Sequence, residues 1–406
     1  MARVLRHTTM TVSATHDLHR VYLIPGMFGF GRLAGYEYFG HLEAALAARF
    51  AELGVPLVLE VIQPPPTASI RRRADVVAAA IAASAGGAEG GPIHLIGHST
   101  GGLDARLVLS PTVRLDVPPE ALAWRARART VLTIDSPHHG TPLAAFFTTV
   151  SGTRLLTLLS LLTVTTLGVG APGLSALSSL VAAIGSVDEA LGIDIRLLDR
   201  ATDLVLRFIG DRGRDEVARW LDGIRHDQGG LVQITPEAMD LFNAVAADAP
   251  GVFYGCTAAA SPPPAPGRLV RQARSPFGAF TATAYSTIYG VTSHVVSRYA
   301  YPDPSDAAAA TLRAAFGTEV DESWCDGVVP TRSMIWGELL WAGKGDHLDV
   351  VGHFRDDETP ARHVDWLTSG ASFGRYRFRG LVDALTDALL RDVSFARTSA
   401  GAQPAA

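Results

Sequence analysis

The sequence has almost no lysine. Of its 35 basic residues only Lys344 is a lysine, and we attribute the preference for arginine to the general composition of the chain rather than to function. Charged residues make up 18% of the 406 residues, below the usual quarter, and the formal net charge is −5. Because proteins that bind nucleic acid normally carry a basic surplus, this composition argues against that class. It indicates a chain with considerable apolar surface.

A secretory leader is not visible, and cysteine is rare. The first 19 residues include basic residues but no continuous apolar segment. We therefore expect a cytoplasmic protein, or a secreted one whose signal has been removed. Cys256 and Cys325 are the two cysteines, so one disulfide at most is possible. In a reducing cytosol, two free buried thiols are the preferred expectation.

The most informative stretch is a short apolar run that ends in a serine between glycines. Residues 93–98 predict a buried strand, and a helical pattern begins after Ser99. Residues 97–101 fit G-x-S-x-G, a strand–turn–helix motif that presents a nucleophilic serine at a sharp turn. Strand and helix pass close behind that serine, so the positions of Gly97 and Gly101 must be nearly bare. The alternative is a glycine-rich turn with an ordinary serine, since so short a motif also occurs by chance.

Strands and helices alternate through the first part of the chain, and four apolar runs predict the strands. These runs are residues 20–24, 57–62, 93–98 and 130–134. The alternation predicts a parallel sheet with helices on both faces, whose active site collects in loops after the carboxyl ends of the strands. In such a hydrolase, an early loop and the residue after the nucleophile each supply one amide of the oxyanion hole. Met27 and Thr100 are the candidates, against the alternative that the Met27 loop is a simple turn.

Residues 143–230 differ in composition from the preceding chain, and we predict that they form a helical lid or cap inserted into the core. The first part is the most apolar of the chain, but glycines and a proline interrupt it. Two short amphipathic helices therefore fit better than a membrane span. Phe146 and Phe147 are candidate substrate contacts. The sequence does not separate a moving lid from a fixed cap.

The predicted domain organisation follows from this insertion. We divide the chain into a first core part (1–142), the lid or cap (143–230), a second core part (231–397) and a disordered tail (398–406). The second core part holds an insertion of unclear role at residues 261–300. A run of three arginines, residues 71–73, is expected to form a solvated helix face.

A serine nucleophile needs a base within hydrogen-bond reach and a third group that orients the base. In the α/β-hydrolase fold the chain order is Ser, then Asp or Glu, then His. Ser99, Asp326 and His347 obey this order, and glycines near the last two suit residues presented from loops.

Several residues compete for the roles of base and acid. His353 lies in the same loop as His347 and is the main competitor, so the choice of base is left open by the order alone. Asp326 has the more turn-like setting among the candidate acids. The remaining competitors are His138, His139 and His363 for the base, and Asp321 and Glu322 for the acid.

Together these stretches resemble the bacterial triacylglycerol lipases of the α/β-hydrolase fold, the true-lipase group of the Pseudomonas and Burkholderia enzymes. The matching stretches, in the order of the family, are LIPGMFG (23–29), AGYEYFG (34–40), GHSTGG (97–102), IDSPHHGT (134–141), DG (326–327) and HLD (347–349). The resemblance implies a mostly parallel central sheet with helices on both faces and a helical lid. It also implies Ser99 as nucleophile, His347 as base, Asp326 as acid, and the amides of Met27 and Thr100 as oxyanion hole.

The resemblance has departures and two further implications. The family often has His-Gly in place of Pro25-Gly26, and Gln or Met in place of Thr100, but neither difference changes a backbone amide. In those lipases, the aspartate two residues past the histidine binds a structural calcium with a second, upstream aspartate. Asp349 matches the first, and Asp303 and Asp306 lie in the region of the second, where the loop does not align cleanly. Some of those lipases carry one disulfide, which keeps a bridge between Cys256 and Cys325 open.

The resemblance implies a carboxylic ester hydrolase, a lipase or esterase, that cleaves apolar acyl esters through an acyl-enzyme. An acyltransferase or polyester depolymerase on the same fold is an alternative. A lipid-binding protein without catalysis, using residues 143–187, is a third. The expected partners are a lipid or other apolar ester and, transiently, a lipid interface at the lid, with no nucleic acid. No cofactor is expected for the chemistry, and the sequence gives no oligomeric state.

Overall fold

The computed structural model describes residues 18–33, 36–87, 89–149, 211–265, 267, 276–294, 299–355, 365 and 367–391. The strands are β1 His19–Ile24, β2 Arg32–Leu33, β3 Tyr36–Glu37, β4 Leu57–Val61, β5 Ile93–His98, β6 Ala128–Ile134, β7 Phe253–Ala260 and β8 Glu338–Lys344. The helices are α1 Gly40–Glu52, α2 Ile70–Ala85, α3 Thr100–Leu109, α4 Pro142–Phe147, α5 Asp211–His226, α6 Gly229–Gln233, α7 Pro236–Val245, α8 Pro276–His294, α9 Asp306–Phe316 and α10 Arg375–Leu389.

Six strands form one parallel sheet in the order β4-β1-β5-β6-β7-β8. The chain moves to one side of β1 to form β4 and then crosses to the other side for β5. Polar loops after the carboxyl ends of parallel strands meet at such a reversal, and ligands bind there in open α/β sheets. The predicted parallel sheet is confirmed, and β2 and β3 form a separate antiparallel pair.

Alternate residues of β1 point into two different hydrophobic clusters. Val21 and Leu23 contact the cluster that contains α1 and α10, whereas Tyr22 and Ile24 contact the cluster that contains α2 and α3. A strand with both faces buried is what helices on both sides of a parallel sheet require. This architecture fits the α/β-hydrolase fold.

The prediction that residues 71–73 form a solvated helix face is wrong for one residue. Arg71 and Arg72 are exposed, but Arg73 is fully buried and pairs with the buried carboxylate of Asp104 at 2.7 Å. Helix periodicity turns the third arginine toward α3, where a buried partner offsets the cost of removing its charge from water. Ser69 caps the same helix by accepting the Arg72 N–H.

Most of the predicted lid falls on residues 150–210, outside the described residues, as do the tail and His363. The lid therefore stays a prediction. At its edges the structure describes α4 and α5, and α5 packs its apolar side, including Trp220, against the core. Among the described helices, none is long and apolar enough to cross a membrane.

Candidate active site

Ser99 lies at the junction of β5 and α3 in a left-handed backbone conformation, with φ of 55°. Its N–H donates to the carbonyl of Ile134 at 2.8 Å, and its own carbonyl accepts from Gly102 at 3.1 Å. A side chain other than glycine adopts such a φ only where the surroundings hold it there, as is common at functional sites. The geometry is that of the predicted nucleophile elbow.

The glycines beside Ser99 are required by space. A Cβ on Gly97 would lie 2.3 Å from backbone atoms of Gly101 and Gly102, and one on Gly101 would lie 2.1 Å from the carbonyl oxygen of Ile24. These contacts involve backbone, which cannot rotate away. The spacing G-x-S-x-G is therefore set by the close passage of β5, α3 and β1.

We expect Gly97→Ala to destabilise the protein by about 3 kcal/mol or more, because the new methyl group overlaps the first turn of α3. Thermal unfolding of the full chain measures the effect. Gly87→Ala is the matched control, since a Cβ there meets nothing within 4 Å. Equal melting temperatures for the two variants would contradict the close passage of strand and helix.

The loop after β1 lies directly against the nucleophile. A Cβ on Gly26 would lie 2.5 Å from Cβ of Ser99 and 3.1 Å from its Oγ, so only glycine permits this approach. The next residue, Met27, and the residue after the nucleophile, Thr100, both line one cleft with Ser99. Within the described part of the chain, neither amide donates a backbone hydrogen bond. Two amides of this kind would suit an oxyanion hole, which stays a prediction.

Arg73 fixes the position of this loop. Its guanidinium donates to the carbonyl of Pro25 at 2.7 Å and to that of Pro65 at 2.8 Å, while Asp104 accepts its Nε–H at 2.9 Å. Phe28, also left-handed with φ of 59°, donates its N–H to Pro66 at 3.0 Å. One buried cation thus joins the loop, α2 and α3, a role that sequence reasoning missed.

His347 and Asp326 come together below the cleft. His347 Nδ1 donates to Asp326 Oδ2 at 2.5 Å, and both side chains are buried. Asp326 Oδ1 accepts the N–H groups of Val328 and Val329 at 2.7 Å each. Three donors hold the carboxylate, and through it the imidazole, which leaves Nε2 of His347 for other contacts. His347 and Ser99 line the same cleft.

The loop that carries Asp326 is braced by α8, which the sequence left without a function. Thr292 donates its hydroxyl to the carbonyl of Gly327 at 2.9 Å. Tyr285 donates to Ser261 Oγ at 2.7 Å, and Ser261 in turn donates its N–H to the Cys325 carbonyl at 2.9 Å. Ser261 and the described helix α8, both within the segment 261–300, therefore support the loop of the predicted acid.

His98, between Gly97 and Ser99, supports the other side of the base. Tyr38 OH lies 2.6 Å from its Nδ1, and its Nε2 lies 2.8 Å from the carbonyl oxygen of His347. Burial lowers the pKa of His98 well below its usual value, so the ring is neutral. We assign the Nε2–H tautomer because the carbonyl can only accept. A neutral ring there does not compete with His347 for a proton.

The competing bases and acids have other partners. His353 Nε2 donates to the Tyr38 carbonyl at 2.9 Å, although this ring also lines the cleft. His138 is held between Arg106 at 3.2 Å and Thr133 at 2.9 Å. Asp321 accepts from its neighbour Ser323. None of these contacts joins a rival residue to the nucleophile.

The cleft above Ser99 is lined almost entirely by apolar side chains. They include Met27, Phe28, Phe30, Leu143, Phe147, Leu231, Ile234 and Ile288. Of the two predicted substrate contacts, Phe147 lines the cleft. Phe146 does not line it, because successive residues of α4 point in different directions, and it packs half-buried against the core instead.

The calcium partners predicted for Asp349 do not join it. Asp303 is 92% exposed and pairs with Arg332 at 3.4 Å, and Asp306 begins α9 at the surface. Asp349 is buried and accepts the Asp346 N–H at 3.0 Å. The described residues therefore do not supply the predicted pair, and calcium stays an expectation from the resemblance.

The two cysteines are free buried thiols rather than a disulfide. Cys256 lies in β7, where its Sγ accepts the Trp336 N–H at 3.4 Å, and burial raises its pKa to about 12. Adjacency of Cys325 to Asp326 in the chain does not bring it to a bridging position. The hydrogen bonds from Ser261 and α8 steady the acid loop instead.

One group of potential metal ligands converges among the described residues. Single ligand atoms of Asp135, Asp326 and His347 lie within 4.8 Å of one another, and all three residues are buried. His347 and Asp326 already form a short hydrogen bond with each other within this group. Asp135 was not predicted to take part, although it directly follows β6 as Ser99 follows β5.

No known protein family profile matches the chain, and no curated protein matches its sequence. Solved structures do. The chain is similar to Staphylococcus hyicus lipase, with 15% identity, a TM-score of 0.48, and coverage of 96% of this chain and 100% of that one. It is also similar to lipase 1 from Pelosinus fermentans, with 16% identity, a TM-score of 0.46, and coverage of 91% of this chain and 99% of that one. The similarity to EstA from Clostridium botulinum has 17% identity, a TM-score of 0.44, and coverage of 91% of this chain and 89% of that one. The similarity to the Pseudomonas and Burkholderia group stays a prediction.

Proposed function

We propose that this protein is a serine carboxylic ester hydrolase, a lipase or esterase, that acts on apolar acyl esters. The observation that carries the proposal is that Ser99, at its left-handed turn, and His347, held by Asp326, line one apolar cleft. A nucleophile, an oriented base and an apolar binding site are the three parts that acyl transfer from such an ester needs.

In the proposed mechanism, Ser99 Oγ attacks the ester carbonyl carbon while its proton passes to His347 Nε2. The carbonyl electron pair moves to oxygen, and the amides of Met27 and Thr100 bind the oxyanion. Collapse breaks the bond to the alcohol oxygen, which takes the proton from His347 and leaves. A water then repeats the sequence on the acyl-enzyme, releases the acid and returns the proton to Ser99.

Each catalytic group has a separate role in this scheme. Asp326 orients the imidazole and stabilises its charged form without taking the proton. Each oxyanion amide is expected to lower the barrier by about 3 kcal/mol. Since these side chains and amides supply the nucleophile, the base and the stabilisation of the oxyanion, we propose that the chemistry requires no cofactor.

The substrate is proposed to be a lipid or another ester with an apolar acyl chain, and not a nucleic acid. Among the described residues no arginine or lysine lines the cleft, so a charged acyl group would lose its hydration there without gaining a permanent counter-charge. We further propose that the lid at 143–230 contacts a lipid interface transiently, which the apolar composition of residues 143–187 supports.

We expect kcat/KM to rise with acyl chain length along a series of p-nitrophenyl acetate, butyrate, octanoate and laurate. Each buried CH2 contributes about 0.8 kcal/mol, or about fourfold in rate, until the cleft is filled. Rates are measured in the full chain below and above the solubility of each ester. A further jump above solubility identifies action at an interface.

A hemisuccinate ester of the same phenol is the control, because its acyl group is charged and we expect it to be a poor substrate. Preference for acetate, with no rise along the series, would exclude an apolar acyl site and leave an esterase of short chains. No turnover of any ester would contradict the proposed function itself.

A further inference from the structure

Asp135 is a buried carboxyl that the proposed mechanism does not use. It is the first residue after β6 and has a left-handed backbone, with φ of 47°. Its side chain is fully buried, and one of its carboxyl oxygens lies within 4.8 Å of a carboxyl oxygen of Asp326. Ser99 occupies the equivalent position after the neighbouring strand. Two adjacent strands therefore end in strained residues whose side chains reach the same site.

Two carboxylates cannot both be charged at this place. Asp326 and Asp135 are both 0% exposed, and the ionisable groups that face them in the described part of the chain are His347, Cys256, Cys325 and Asp346. None of these is a permanent cation. Two negative charges buried so close together would repel each other strongly in a medium of low dielectric constant. A proton on one of the two carboxyl groups removes this repulsion.

The hydrogen-bond donors identify which carboxyl is charged. Asp326 accepts from Val328, Val329 and His347, and three donors favour the carboxylate. Asp135 Oδ1 accepts a long hydrogen bond from the Thr257 hydroxyl, at 3.3 Å. Its Oδ2 has no donor among the described residues. A proton on Oδ2 turns this oxygen into a donor, which is what Asp326 can accept.

We propose that Asp135 is a positioning residue for the catalytic base: its protonated carboxyl donates a hydrogen bond to Asp326 and holds that carboxylate in line with His347 Nδ1. The pair then carries one proton and one negative charge. This inference rests on the proposed function, since it deepens the role of the same acid and base. Burial and the charge of Asp326 raise the pKa of Asp135 well above its usual value, in agreement with a neutral acid.

The kinetic test compares Asp135→Asn with Asp135→Ala in the full chain. The asparagine amide keeps a donor toward Asp326, so kcat for p-nitrophenyl butyrate should stay within about threefold of the unmodified protein. Alanine removes the donor and should lower kcat by about tenfold or more with little change in KM, because the bond acts on the base and not on the substrate. Melting temperatures are recorded for both variants.

A spectroscopic test is independent of turnover. Difference infrared spectra at neutral pH, the unmodified protein minus Asp135→Asn, should contain the C=O stretch of one protonated carboxylic acid. In Asp326→Asn that band should shift, because its hydrogen-bond acceptor has changed from a carboxylate to an amide. All samples contain EDTA, so that no bound metal ion couples the two residues.

Three outcomes would overturn the inference. They are equal loss of kcat in the asparagine and alanine variants, unchanged kcat in alanine, and a difference spectrum with a carboxylate band instead of an acid band. If the alanine variant does not fold, asparagine activity and the infrared spectra still decide. Failure of the proposed function has a different signature: the unmodified protein would not react with a fluorophosphonate at Ser99, whatever the spectra show.

Discussion

Ser99→Ala abolishes ester hydrolysis in a protein that still folds. The change removes only Oγ, and Cβ keeps its place against Gly26, so the elbow itself is unaffected. Loss of the nucleophile in an assembled site lowers kcat by about 10³- to 10⁶-fold. Turnover of p-nitrophenyl butyrate and covalent labelling by a fluorophosphonate measure the two halves of the prediction. Both are expected to disappear together.

Ser136→Ala is the control for this substitution. Ser136 is also buried, in the loop after β6, and its Oγ has no hydrogen-bond partner among the described residues. It should keep both activity and labelling. Retained turnover in Ser99→Ala would exclude this serine as the nucleophile. A lipid carrier without catalysis would show neither labelling nor turnover in the unmodified protein.

His347→Gln removes activity, whereas His353→Gln leaves most of it. Glutamine at 353 can still donate to the Tyr38 carbonyl, which is the contact that the histidine makes at 2.9 Å. Glutamine at 347 cannot accept and return a proton, so kcat should fall by about 10³-fold or more. For His353→Gln we expect a loss below about tenfold, since the proposed base is His347 and glutamine keeps a donor for the Tyr38 carbonyl.

The same substitution at both positions makes the comparison a matched one. Steady-state kinetics with a soluble ester, together with melting temperatures, separates loss of chemistry from loss of folding. If only His353→Gln were inactive, the base would be His353, and the contact between His347 and Asp326 would be structural.

The parts of the site that the sequence predicted are those with a local cause. Gly97 and Gly101 are spaced by the turn at Ser99, and the alternation of strands and helices predicts a parallel sheet. The order along the chain, together with the resemblance to the lipases, also selected Asp326 and His347, which the structure joins. In each case a short-range steric rule or a fixed chain order limits which residues can occupy the position.

The parts that were missed depend on contacts between distant segments. Arg73 looked like a surface residue because its partner, Asp104, lies 31 residues away. Nothing in the sequence of α8 indicates that Thr292 holds the acid loop. The sequence left a disulfide from Cys325 open, because its place beside Asp326 in the chain does not determine which way the Cys325 side chain points. The sequence did contain a pattern that could have identified Asp135. It directly follows a buried strand, and functional side chains of parallel sheets are found just after the carboxyl ends of the strands.

Because the chain has a single lysine, at the end of β8, that lysine can be used for selective chemical labelling. Lys344 is the last residue of that strand, is exposed, and precedes His347 by three positions. Apart from a chain terminus, reagents that acylate amines have one side chain to modify, and it lies three residues before His347, which lines the cleft. A dye attached there would report on acyl chains entering the site, and a support attached there would orient every molecule alike.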